Sequence, residues 1–361
     1  MVSRTCLIFL LVATLFGGSG CKGKPYSSLP ADTGPIALAE LPEKLSAFHL
    51  FLGNMADQAP AAGVLHYDLN SPLFSDYTTK YRFIKLPAGT SMKYVSNDDA
   101  IEFPTGTIIA KTFAYLKDQR DPIKGQRLLE TRILRKGETA WEGVSYAWND
   151  AQTEATLKLT GTVTPSKWIH TDGTEKSNAY IVPNANQCKS CHGNNNNPIG
   201  PRPRNLDRDF IQNSGPKNQL ERWAAQGTLQ NLPEHQQLKA LPVWNNPATG
   251  SLDQRARAWL DINCAHCHQP SGGARQSGLD LRYTQTDPAQ HGIMKMPIAA
   301  GRGSGGRLYD IVPGKPEGSV LVFRLESTEP GIMMPELPRR MVDVEGVKLI
   351  KEWIDSMKKR E

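Results

Sequence analysis

Two short stretches hold the residues best suited to do chemistry. "QCKSCHG" sets Cys188, Cys191 and His192 together, and "NCAHCHQ" repeats the pattern at Cys264, Cys267 and His268. Cysteines three positions apart on a helical turn project along one side. That spacing lets both thiols add across the vinyl groups of one protoporphyrin, and the adjoining imidazole then reaches the ring centre as an iron ligand. The expected cofactors are two haem c groups, with His192 and His268 on their irons. Other chemistries use the same residue types. A structural zinc site usually draws two Cys-x-x-Cys pairs into one cage, whereas these pairs lie far apart in the chain. A thioredoxin-like redox pair follows a strand in a βαβ setting, which neither motif has. His266, inside the second motif, is expected to be a bystander directed away from its own iron.

The 361-residue chain has six cysteines, and the motifs use four. Cys6 falls in "RTCLIFLLVATLF", a basic and then apolar run too short to span a bilayer and shaped like a secretory signal. Cys21 closes "GGSGC", which resembles a bacterial lipobox except that Gly18 stands where Leu is usual. Acylation of Cys21 would anchor the protein to a membrane without crossing it; the other reading is cleavage near Gly20 with a free Cys21. Lys22 after that cysteine points to the outer membrane, on its periplasmic side. No pair remains for a structural disulfide, although exported proteins live where disulfides persist.

A chain of this length buries a core without crosslinks. Its net charge of +6 is modest and scattered, so a nucleic-acid surface is not expected. The expected fold class is α+β and multidomain. Residues 1–20 form the signal peptide, 21–45 a Pro- and Lys-containing lipid-anchored tether, and 46–183 an antiparallel β domain, a sandwich or partial barrel. Residues 184–250 form the first haem segment and 251–361 a second, cytochrome c-like domain. Period-two runs at 106–115, 127–137, 141–150 and 155–163 carry the β reading. Helical spacing predicts short helices in 215–229 and 251–263, the latter capped by Ser251, and a terminal helix from Asp343. A short amphipathic helix is expected at "PEKLSAFHLF".

The segment "EPGIMMPELPRRMVDVEGVKLIKEWIDSM" resembles the close of class I cytochromes c. That resemblance implies Met334, directly before a proline, as the second axial ligand of haem 2, with Met333 as its substitute, and a terminal helix packed across the motif-bearing one. The alternative is that both are core methionines. His/Met ligation fills both axial positions and suits electron transfer. For haem 1 the sixth ligand is open among His66, Met92, His170, His235, His291, Met294 and Met296, or the position is vacant. Arg202, Arg204, Arg302 and Arg307 are candidate propionate partners. "GRGSGG" at 301–306 matches G-x-G-x-x-G without the strand such a fingerprint needs.

With "YDLNSPLFSDYTTKYRFIKLPAG", "FPTGTIIAKTF", "VPNANQCKSCH", "AGRGSGG" and "MMPEL", the whole mature chain resembles a family of exported dihaem c-type cytochromes of unassigned role, often encoded beside a parallel β-helix protein. The resemblance implies an electron carrier whose partners are a periplasmic dehydrogenase or other cytochromes. Two alternatives stay open: a dihaem peroxidase-like enzyme using an open haem 1, and a cytochrome subunit of a dehydrogenase complex.

Overall fold

Alternating apolar and polar residues between 60 and 182 build the strands β1 (Val64–Tyr67), β2 (Thr79–Lys85), β3 (Met92–Lys93), β4 (Ile108–Leu116), β5 (Gln126–Lys136), β6 (Trp141–Trp148), β7 (Ala155–Leu157), β8 (Thr162–Ile169) and β9 (Glu175–Val182). The computed structural model describes residues 41–193, 197–210, 217–298, 300–337 and 339–357. The expected signal peptide, the acylation site Cys21 and the tether up to residue 40 lie outside these described residues. Six strands form one antiparallel sheet in the order β1-β2-β4-β5-β6-β7. β1 and β7 are its edges, so it does not close into a barrel. The β8–β9 hairpin is a separate ladder lying on one face of it.

The downstream half holds α1 (Ala185–His192), α2 (Pro203–Leu206), α3 (Gln219–Ala225), the two-residue β10 (Leu229–Gln230), α4 (Leu252–Asn263), α5 (Val320–Glu326) and α6 (Val344–Ser356). The fold class is α+β, with an antiparallel sheet and six helices among the described residues. Two local expectations change. The run 155–163 is two strands, because the chain turns at Gly161, whose φ is +73° and whose absent Cβ would meet the Val182 carbonyl at 2.6 Å. The amphipathic helix expected at 42–51 shrinks to a 3-10 turn, Leu45–Phe48.

The sheet has no wet face at its centre, although period-two runs such as 141–150 ordinarily leave one face to solvent. Val144, Tyr146 and Trp148 pack against Leu45, Phe48 and Leu50 on one side. On the other side Ala147 joins Phe113, Tyr115, Trp168 and Tyr180. Farther along that second face, Ile84, Ile109 and Trp141 pack on Leu206, Leu220 and Trp223 from α2 and α3. Between these apolar patches runs a charged row, Arg82, Lys111 and Arg132, set directly opposite one another by the strand register.

α4 and α6 cross within a fourth cluster that includes Trp259, Leu260, Cys264, Val347, Ile350 and Trp353. Trp259 Nε1 donates to the N-cap carboxylate of α6, Asp343, at 3.0 Å, and Trp353 Nε1 donates to Asp253 at 2.8 Å. Gly346 lets the helices approach this closely, since a Cβ there would lie 2.4 Å from Trp259 Nε1. Among the described residues, no helix is long and apolar enough to cross a membrane.

One buried cation ties the parts together. Arg204 on α2 pairs with Asp261 on α4 at 2.8 and 2.9 Å, both side chains 4 % exposed, and also with Asp98 from the loop after β3. Removing one partner of such a pair strands the other charge in a dry site. Arg204→Ala is expected to lower unfolding stability by about 3–5 kcal/mol in denaturant titration. Arg204→Met combined with Asp261→Leu is expected to recover most of that loss; equal stability for wild type and Arg204→Ala would show that the pair is not structural.

Candidate cofactor site

Each motif is launched by a capped helix. Asn184 Oδ1 accepts from the Gln187 amide at 2.8 Å, and Gln187 Oε1 accepts from the Asn184 amide at 2.9 Å. This capping box begins α1 immediately after β9 and places Cys188, Cys191 and His192 in its last turns. Ser251 and Gln254 form the same reciprocal pair at the start of α4. The chain continues past α4 as a turn, with the Cys264 amide bonded to Leu260 O and the His268 amide to Cys264 O. The Phe74 amide donates to Asn263 Oδ1 at 2.8 Å, fixing the residue just before Cys264 to the β domain.

The fold brings the two motifs into contact. Cys267 Sγ lies 3.5 Å from Ser190 O, 77 positions away in sequence. Cys191 has the Cys267 thiol and His266 beside it, and these neighbours hold its thiol well below the usual range. The nearness of Cys191, with burial, pushes Cys267 up. Burial raises Cys188, and raises Cys264 to about 12. All four thiols are free.

The hydrogen bonds fix how the imidazoles present themselves. His192 Nδ1 lies 2.8 Å from Asn197 O, and a carbonyl can only accept, so Nδ1 carries the proton. His268 Nδ1 lies 3.0 Å from Ser277 Oγ, whose own proton goes to Ala274 O at 2.8 Å, so here too the ring donates. In both rings Nε2 is left with a free lone pair, the arrangement found in metal-ligating histidines whose orientation is set from outside. Burial, reinforced by Lys111 near His192 and by Arg324 near His268, brings both imidazoles to about 4 and keeps them neutral. The residues therefore fit a haem c at each motif, with free thiols for attachment and an available nitrogen next to them. Among the described residues no group of three or more His, Cys, Asp or Glu converges as a metal cage. A haem iron needs no such group, because the porphyrin supplies its equatorial nitrogens.

Met334 lines a narrow cleft together with Cys191, Trp259, Asn263, His266 and Leu325. Arg339, 4 % exposed, holds the loop by its backbone: it donates to the carbonyls of Met334, Arg324, Leu325, Ser327 and Met341. Asp76 accepts from the Arg340 and Met341 amides. The methionine side chain is left to the cleft, while Met333 is not in its wall. His268 is not in that wall either; it adjoins Arg324, whose carbonyl accepts from the Met334 amide at 3.0 Å.

The candidates for a sixth ligand on haem 1 stay away from this cleft. His66 stacks on Phe83, His170 sits against Tyr77 and Glu345, and His291 bonds Gln285 O. His235 faces Glu221, Met92 is fully buried under the sheet, and Met294 and Met296 are exposed. The four arginines proposed for propionates are engaged within the protein: Arg204 and Arg202 near Asp261, Arg302 on Glu329, Arg307 on Glu317 O and the Phe323 ring. His266, Arg339 and the Lys111 row were not singled out for roles at this site. For His266 the sequence had no signal, because its place beside Cys191 exists only once the motifs meet.

Compared with known proteins, the chain matches no family model, no curated relative and no solved structure.

These thiol environments order the reactivity of the haem-free chain. Cys191 is expected to be alkylated first by iodoacetamide at mildly alkaline pH, with Cys188 and Cys264 last, as read by mass spectrometry of peptides. Equal rates at Cys191 and Cys264 would contradict the contact between the motifs.

Proposed function

We propose that the protein is a dihaem c-type cytochrome that carries electrons. The observation that supports this best is the pair of imidazoles, each directly after two free thiols and each with Nδ1 tied down and Nε2 available. Cys188, Cys191 and His192 would hold one haem, and Cys264, Cys267 and His268 the other, with Met334 as the second ligand there. Bound haem supplies a one-electron ferric–ferrous couple.

The chain's own groups set the conditions for that couple. Burial keeps both imidazoles neutral and so available to a metal. Trp259 and Leu325 give the cleft an apolar lining, and an apolar setting disfavours the extra charge of the oxidised form. The contact between the motifs puts the two attachment points side by side, which suits passage of electrons between them. In this reading the protein is acylated at Cys21, sits on the periplasmic side of the outer membrane, and exchanges electrons with a dehydrogenase or another cytochrome.

Protein matured in a bacterium that makes c-type cytochromes is expected to keep two haems per chain after denaturation; a colourless product would sink the reading. Met334→Ala is expected to turn one iron from low to high spin in absorption and EPR spectra and leave the other unchanged. An unchanged spectrum would remove Met334 from the ligand set. Rapid hydrogen peroxide turnover with an artificial donor would overturn the carrier in favour of an enzyme.

A further inference from the structure

The charged row under α1 has too few counter-ions. Register places Arg82 opposite Lys111 and Lys111 opposite Arg132, three cations side by side on one sheet face, where like charges repel. Arg82 is answered by Asp68 at 2.6 Å, a carboxylate it shares with Arg208, and Arg132 by Glu130 at 2.6 Å. Lys111, half-buried between them, has no carboxylate within ion-pair distance and no hydrogen-bond partner among the described residues, Glu130 acting on it only from farther off; its ammonium lies 5.0 Å from the centre of the Phe113 ring. Lys80, two residues from Arg82 along β2 on the same face, donates to Thr78 O and has no ion pair among the described residues. A desolvated cation without a partner is costly, and a sheet that keeps one has a use for an anion there. Burial and the neighbouring cations bring Lys111 down to about 7.

The direction of the row identifies the anion. α1, which carries the first motif, packs on β6, where Ser145 lies directly opposite Arg132 of β5, and from this row Lys111 and Arg132 act on Cys191, His192 and Cys188. The anion must therefore come close to the residues of the first motif, beside the flat apolar ring of Phe113, which already carries the Arg132 guanidinium at 4.3 Å. A porphyrin joined to those cysteines is flat and apolar with carboxylates on its rim. From this we infer that Lys111, flanked by Arg132 and Lys80, is the seat for a propionate of the haem held at Cys188, Cys191 and His192. The inference rests on the cytochrome reading and adds to it that the β sheet is part of the haem 1 site.

The test compares wild-type holoprotein with Lys111→Met and Lys111→Arg. Haem is counted on the denatured chain, midpoint potentials are measured by spectroelectrochemistry, and the propionate-bending band is followed by resonance Raman. In Lys111→Met, two haems are expected to remain. One potential should fall by the equivalent of about a tenfold rise in the ferric-to-ferrous ratio, or about 59 mV for a one-electron couple. The propionate band of one haem should shift, and Lys111→Arg should restore both readings. Unmoved potentials would overturn the seat, and so would a fall in potential with an unmoved band, which would make Lys111 only a remote charge. If Lys111→Met does not yield folded holoprotein, Lys80→Met replaces it; a smaller change of the same kind supports the seat and an unmoved band overturns it. Wild-type protein with fewer than two haems would be a separate failure, that of the cytochrome reading itself.

Discussion

The arrangement of both motifs depends on a guanidinium that cannot be left alone. Arg204 is buried, and a buried cation needs carboxylates around it. It finds Asp98 on the β domain and Asp261, three residues ahead of Cys264. Satisfying that one charge brings the segment after α1, the sheet and the helix of the second motif to a common point. Asp261 reaches onward too, accepting from the Tyr283 amide at 2.9 Å. The ion pair contributes little net stability compared with an apolar contact of equal size, but it is directional. It fixes which face of α4 meets α2, and through α4 it fixes where Cys267 lies relative to Ser190.

A second constraint comes from the strap between β1 and β2. Asn70 donates to the carbonyls of Arg204 and Asp207, and the Ser71 hydroxyl donates to Pro242 O. The Phe74 amide reaches Asn263, Asp76 takes the amides of Arg340 and Met341, and Tyr77 OH reaches Val342 O. Five residues of this strap thus touch the segments around α2, α4 and α6. Asp76 and Tyr77 both adopt positive φ, 49° and 62°, which costs about 1–2 kcal/mol per residue outside glycine. Burial raises the Asp76 carboxyl, against the pull of the amides that it binds. The strain is tolerated because those hydrogen bonds leave the carboxylate no other satisfied position.

Much of this was legible from local pattern. The strands β4, β5 and β6, the Ser251 and Asp343 caps and the helices they open follow from periodicity and capping residues, which act over a few positions. The failures are those of range. Alternation in β6 could not reveal that Ala147 is covered by a hairpin from later in the chain, and 155–163 hid a turn that only the closeness of Val182 O requires at Gly161. At the site, the spacing of the Cys and His residues was readable because one helical turn sets it. Their partners were not: Ser277 behind His268, Arg339 behind Met334 and Lys111 beside α1 act across the fold. The arginines picked for propionates were chosen by charge and nearness in sequence, and each is already occupied by the protein.

The way the cleft is supported bears on how firmly Met334 is placed. Every hydrogen bond that Arg339 makes to this loop is to a carbonyl oxygen, and Asp76 holds it through amides, so the loop's path is fixed mainly through its backbone. Such a scaffold is indifferent to the side chain at 334. It places that residue in the wall of the cleft that Trp259 and Asn263 of α4 also line. Evolution of a packing methionine would need no such cage, since thioether side chains adapt to irregular gaps by rotation about flexible bonds. A group that must meet a metal at one position needs its backbone held before the metal arrives, and a dense set of bonds from one buried arginine supplies that rigidity.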